Sequence, residues 1–166
     1  MSLALIGFQN CGKTSLAKAY SVAFGLDFVD TDDLLIEASG YLSSRKAHTA
    51  MGGDAFRALE SQCVLSLSNQ ADQIIATGGG VVLKPDNIAH LKTLGPVVYL
   101  QLARETVRAR MTLLPSFLED ASEFDAYFDA REPIYQSAAD LILPAEGASI
   151  AELTLSLHQS LFQAAR

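Results

Sequence analysis

Short apolar runs alternate along the chain with longer segments whose apolar positions recur at helical spacing. The short runs cover 4–6, 28–29, 74–76, 97–102 and 141–143. They are nearly continuous rather than alternating, the pattern of strands covered on both faces. Helices are expected over 13–24, 32–38, 54–69, 86–93, 103–113, 124–138 and 149–163. Asp54 and Ser149 stand where N-caps belong, because their side-chain oxygens can accept from the free amides of a first turn. Strand–helix alternation implies right-handed crossovers, a parallel sheet and the α/β class. Ligands of such sheets bind at the carboxyl ends of the strands, so the chemistry is expected just after each one.

The 166 residues suit one domain over 1–166. Apolar content of 49% with 19% charged residues describes a globular chain rather than a disordered one. No apolar run approaches the ~20 residues of a membrane span. The first residues form a short apolar stretch without a basic segment, which reads as a first strand and not a signal peptide. The default expectation is therefore a cytosolic location. The net charge of −7, with no cluster of Lys and Arg, argues against a nucleic-acid partner. Cys11 and Cys63 have neither metal nor disulfide spacing and read as free thiols. His48, His90 and His158 are scattered and read as ordinary surface or core residues.

Gly7-Phe8-Gln9-Asn10-Cys11-Gly12-Lys13-Thr14 changes the picture, because it fits GxxxxGK[ST] between an expected strand and an expected helix. Its glycines let backbone N–H groups turn inward around phosphates, and the helix N-terminus adds partial positive charge. Asn10, Cys11, Gly12, Lys13, Thr14 and Ser15 are the expected nucleotide contacts. Lys13 should reach the β- and γ-phosphates, and the Thr14 hydroxyl should ligate Mg²⁺. The chain contains neither Asn-Lys-x-Asp nor Asp-x-x-Gly, which argues against a GTPase.

After the second expected strand come Asp30 and Asp32, separated by Thr31. This pair suits a kinase, with one acid near Mg²⁺ and one on the acceptor hydroxyl. It equally suits a helix N-cap followed by an acidic first turn. Farther on stand Gly52-Gly53-Asp54-Ala55-Phe56-Arg57-Ala58-Leu59-Glu60, then Ala76-Thr77-Gly78-Gly79-Gly80, then Arg131-Glu132-Pro133-Ile134-Tyr135. Taken in order, from about residue 3 to about residue 143, these five elements resemble the shikimate kinase family. The resemblance implies a five-stranded parallel sheet flanked by helices in a three-layer sandwich. It implies transfer of the γ-phosphate of ATP to the 3-hydroxyl of shikimate, with Mg²⁺, by a monomer. It implies that Asp30 helps position Mg²⁺ and that Asp32 contacts the shikimate hydroxyls as the base. Arg57 and Arg131 would grip the carboxylate, and Gly78, Gly79 and Gly80 would let the ring approach the backbone. Arginine forks suit carboxylates, and glycines after a strand suit close approach, independently of any family.

The chain departs from the family pattern in the expected lid, about 111–124. Members usually carry a lid arginine there, yet between Arg110 and Arg131 no Lys or Arg occurs. Five acids stand in that stretch: Glu119, Asp120, Glu123, Asp125 and Asp129. An arginine at a transferring phosphate is worth ~10³–10⁵ in rate, so the gap matters. Arg110 matches a helix arginine that the family places against adenine. Alternatively Arg110 or Arg108 swings toward the phosphate, or the lid closes through Leu114, Phe117 and Leu118 to exclude water, or the acceptor is a small hydroxy acid other than shikimate. Gly53 stands where the family usually has Glu, with Asp54 next to it. Cys11 stands where a small residue is usual.

Overall fold

A computed structural model describes residues 2–68, 72–111, 118 and 120–164. Five strands, β1 (Leu3–Ile6), β2 (Asp27–Asp30), β3 (Gln73–Ala76), β4 (Val97–Gln101) and β5 (Leu141–Pro144), form one sheet in the order β2-β3-β1-β4-β5. Every pairing is parallel. Around it lie α1 (Lys13–Phe24), α2 (Thr31–Ser39), α3 (Ser44–Met51), α4 (Gly53–Leu65), α5 (Pro85–Leu94), α6 (Arg104–Arg110), α7 (Phe124–Ala138) and α8 (Ile150–Ala164). α1 packs on α8, whereas α4, α5 and α7 gather around a 3-10 turn at Val81–Leu83. No helix of the described residues is long and apolar enough to cross a membrane.

Why the strands are short apolar runs follows from their places. All residues of β1 and β3 are buried, and so are the first four of β4. The edge strands β2 and β5 keep exposed positions. Registers Leu5↔Ala76 and Ile6↔Tyr99 bring the carboxyl ends of β1, β3 and β4 together. β1 is central, with β3 and β2 on one side and β4 and β5 on the other. The loop leaving β1 therefore opens into the crevice where the strand order reverses, the usual ligand position in open α/β sheets.

The helix ends correct the sequence reading in several places. Asp54 is not an N-cap: α4 starts one residue earlier, at Gly53, behind Gly52, and has no side-chain cap. Asp54 lies instead in the first turn, where its charge suits the exposed amides. Ser149 does cap α8, in a reciprocal box. Its Oγ accepts from the Glu152 N–H at 3.3 Å, and the Glu152 carboxylate accepts from the Ser149 N–H at 2.8 Å. α4 stops at Leu65 rather than 69, and β4 stops at Gln101 rather than 102. Helix α3 was not expected at all. Only Ala47 of its eight residues is buried, so it has no apolar stripe to read. Its N-terminus is set by Ser43, whose side chain accepts from the Lys46 N–H at 3.2 Å. A small apolar cluster of Leu35, Ala47, Phe56 and Cys63 holds α2, α3 and α4 together, apart from the large core around the sheet.

One backbone contact between α5 and β1 has no room for a side chain. A Cβ on Gly95, which follows α5, would lie 1.8 Å from the Ser2 carbonyl oxygen. Both partners are main chain, so neither can turn aside. Gly95→Ala is expected to lower stability by about 2–3 kcal/mol in urea denaturation, the usual cost of overpacking.

Candidate active site

The loop from β1 to α1 wraps back on itself. Gly7 (φ 149°) and Gly12 (φ 106°) take conformations that disfavour side chains, and Asn10 is the one described non-glycine residue with positive φ, at 58°. Lys13, the first residue of α1, turns its side chain back over the loop. Its Nζ donates to the Gly7 carbonyl at 2.9 Å and to the Phe8 carbonyl at 2.6 Å. Its third contact is the Cys11 Sγ at 3.6 Å, a weak acceptor, which leaves a donor suited to phosphate. The Cys11 thiol belongs to the core, 2% exposed, and does not line the cavity described below.

Arg110, at the end of α6, clamps the same loop. Its Nη1 donates to the Cys11 carbonyl at 3.1 Å, and its own carbonyl accepts from Asn10 Nδ2 at 3.2 Å. Arg108 is placed differently, paired with Asp125 and lying over the Phe124 ring. Arg104 pairs with Asp125 and Asp129 and lies over Phe128. Two of the five acids counted in the sequence thus join α7 to α6.

Thr14 Oγ1 donates to Asp30 Oδ2 at 2.8 Å, and Asp30 Oδ1 accepts from the Asp32 N–H at 2.9 Å. Asp30 is therefore the N-cap of α2 and the partner of the Thr14 hydroxyl at once. Two hard oxygen donors side by side suit Mg²⁺, which keeps waters and takes few protein ligands. Among the described residues no group of three or more His, Cys, Asp or Glu could hold a metal. Such a sparse donor set matches an ion carried largely by phosphate oxygens.

Opposite the loop, the site is built on the three glycines after β3. The Gly78 N–H donates to Thr31 Oγ1 at 2.9 Å. The Gly79 carbonyl accepts from the Tyr135 hydroxyl at 2.6 Å and from Arg131 Nη1 at 3.3 Å. A Cβ on Gly80 would sit 1.8 Å from Arg57 Nη1. On Gly78 it would meet Asp32 Oδ1 at 2.9 Å and Glu60 Oε1 at 3.2 Å. The glycines therefore make room for protein side chains as much as for a ligand. Arg57 Nη1 reaches both oxygens of Glu60, at 2.9 and 2.7 Å.

Burial raises the pKa of Glu60, against the pull of Arg57. Burial also raises that of Asp32, with the Asp30 charge adding to it. Lys13 and a hydrogen bond from Ser44 oppose this rise.

These groups face one cavity of about 580 Å³. Lys13, Thr14 and Ser15 line it from the phosphate loop, and Asp32, Arg57 and Arg131 from the other side. Gly12, Gly79, Gly80 and Asn10 line it as well. Asp30, Gly78, Cys11 and Arg110 do not, and act on it only through the contacts already given. Glu60 also lines the cavity, although the sequence reading quoted it without assigning it a place. Its position three residues after Arg57, one helical turn on, was the available signal. Ser44, Arg45 and His48 of α3 line it too, with no signal in the sequence. His48 is half-buried there, and burial, and then the Arg57 charge, lower its pKa.

A sequence profile of shikimate kinase matches residues 9–162. The chain belongs to the shikimate kinase family. Relatives include the shikimate kinase of Dehalococcoides mccartyi, 32% identical over 96% of this chain and 93% of that protein. The shikimate kinase of Paracidovorax citrulli is also 32% identical, over 97% and 92%. Among solved structures, shikimate kinase from Aquifex aeolicus superposes with a TM-score of 0.87 at 25% identity, over 99% of this chain and 98% of that one. Shikimate kinase from Acinetobacter baumannii, solved with shikimate, gives 0.89 at 22% identity, over 98% and 93%, a likeness of fold. As a shikimate kinase the chain is a transferase of the shikimate pathway, phosphorylating shikimate at the expense of ATP.

The expected lid, about 111–124, is described only in part. Residues 112–117 and 119, with Leu114 and Phe117 among them, lie outside the described residues. Leu118 is half-buried against the large core. The Asp120 carboxylate accepts from the Ser122 N–H at 2.6 Å at the start of a 3-10 turn, Ala121–Glu123, that leads into α7.

The Gly80–Arg57 contact yields a test. Gly80→Ala displaces the end of a flexible arginine rather than backbone, so the fold should persist. The KM for shikimate is expected to rise about 10- to 100-fold, the worth of a charged hydrogen bond, with the KM for ATP within about twofold. Steady-state kinetics with each substrate varied in turn measures both.

Proposed function

We propose that the two walls of the cavity are the donor and acceptor halves of one transfer site, with the γ-phosphate passing in line from ATP to the 3-hydroxyl of shikimate. The observation that carries this reading is that Lys13 and Asp32 line one cavity together with Arg57 and Arg131. The loop N–H groups and Lys13 hold the β- and γ-phosphates at the N-terminus of α1. Arg110 steadies the loop through the Cys11 carbonyl and stands on the nucleotide side. Arg57 and Arg131 hold the shikimate carboxylate, Arg57 being pre-oriented by Nη1, which donates to both oxygens of Glu60. Gly79 and Gly80 let the ring lie close to the backbone.

With the carboxylate fixed, the 3-hydroxyl meets Asp32. As its oxygen bonds to the γ-phosphorus, the bond from that phosphorus to the ADP oxygen breaks, and Asp32 takes the hydroxyl proton. Thr14, and Asp30 through water, would hold Mg²⁺, whose charge offsets that of the phosphates. The same reading carries a cytosolic monomer that binds no nucleic acid, in keeping with its net charge of −7.

Three measurements test it. ADP release from Mg-ATP is expected to depend on shikimate. Turnover that ignores shikimate, even at high enzyme concentration, contradicts the reading. Chelation with EDTA is expected to abolish turnover, and added Mg²⁺ to restore it. Thr14→Val is expected to raise the Mg²⁺ concentration needed for half-maximal rate about tenfold or more, the order lost with one oxygen contact to a charged group. An unchanged requirement contradicts the place given to Thr14.

A further inference from the structure

Helix α3 brings a hydroxyl to the reacting end of the cavity. Ser44 is its first residue, and the helix end is already capped by Ser43, whose side chain accepts from the Lys46 N–H. The Ser44 hydroxyl is thus not used for capping. A hydrogen bond from it opposes the rise of the Asp32 pKa, and both residues line the same cavity.

Asp32 needs an orienting partner of this kind. Its backbone N–H is bound to Asp30 Oδ1, which fixes the start of α2 but not the carboxylate plane. The terminal torsion of an aspartate is broad, so the carboxylate turns easily unless something holds it. The charged groups acting on it are Lys13 from α1, Asp30 from β2, Asp33 from its own helix and Glu60 from α4. Three of these four are acids, which cannot donate to it when ionised. The space beside Gly78, where Asp32 Oδ1 lies 2.9 Å from the site of a Cβ, lets the carboxylate sit there but does not grip it.

We propose that Ser44 is a positioning residue for phosphoryl transfer, its hydroxyl holding one Asp32 oxygen so that the other faces the acceptor hydroxyl. This rests on the reading of Asp32 as the acceptor's partner. The role is confined to orientation: no proton leaves Ser44, and the phosphoryl group never touches it.

A double-mutant cycle tests it, read in single turnovers at high enzyme concentration. Ser44→Ala is expected to lower the transfer rate about tenfold, the order of a hydrogen bond to a charged group, with ATP affinity within about twofold. Ser43 still caps α3, so the thermal midpoint should hold. Ser44→Thr, which keeps the hydroxyl, should stay within about threefold of the parent. In an Asp32→Asn background, Ser44→Ala should cost less than about twofold, because the group it orients is gone. A parent-like rate for Ser44→Ala beside a disabled Asp32→Asn overturns this proposal alone. So does a tenfold loss that persists in the Asp32→Asn background, or an equal loss in Ala and Thr variants. A parent-like rate for Asp32→Asn overturns the role of Asp32 and this proposal with it.

Discussion

The Lys13 ammonium lies 2.9 and 2.6 Å from the carbonyl oxygens of Gly7 and Phe8, in a residue 7% exposed. A charge taken that far from water costs several kcal/mol unless nearby groups compensate it. Here the compensation is the loop's own backbone, which therefore must curl over the start of α1. That curl requires the left-handed turns at Gly12 and Asn10, and it requires β1 to deliver the chain at the middle of the sheet. The parallel pairing of β1 with both β3 and β4 does so. The phosphate site is in this sense a consequence of where one ammonium can be buried.

The opposite wall of the cavity obeys a different constraint, which is absence of side-chain volume. Arg57 Nη1 occupies the space of a missing Cβ at Gly80, and Asp32 and Glu60 crowd the missing Cβ at Gly78. Gly79 contributes its carbonyl instead, shared by Tyr135 and Arg131. The three glycines are thus a junction at which α2, α4 and α7 converge on the end of β3. Glu60 completes it. As a buried carboxylate it needs a cation, and by accepting Arg57 Nη1 on both oxygens it fixes that arginine's place.

The parts legible in the sequence were those governed by local rules. Buried strands showed as apolar runs, the phosphate loop as glycine spacing before Lys13, and the start of α8 as a Ser149 N-cap. Where tertiary contacts decide, the reading fell short. α3 shows no apolar stripe, because it is held by one buried alanine and a serine cap, so Ser44, Arg45 and His48 went unassigned. Asp54 looked like a cap, but the positive φ of Gly52 lets α4 begin a residue earlier. Asp125 and Asp129 counted as excess acid in the sequence, yet each pairs with an arginine of α6. Arg110 could be assigned from the sequence to two places, and the carbonyl of Cys11 is where its guanidinium lies.

The central claim is that a shikimate carboxylate held by Arg57 and Arg131 brings one hydroxyl to the phosphate carried by Lys13. Single-turnover transfer from γ-labelled ATP, with the product examined by phosphorus NMR, tests this directly. The account predicts label on the 3-hydroxyl of shikimate, with the phosphorus coupled to the proton at that carbon. Label released as inorganic phosphate, or found on another hydroxyl, would contradict it.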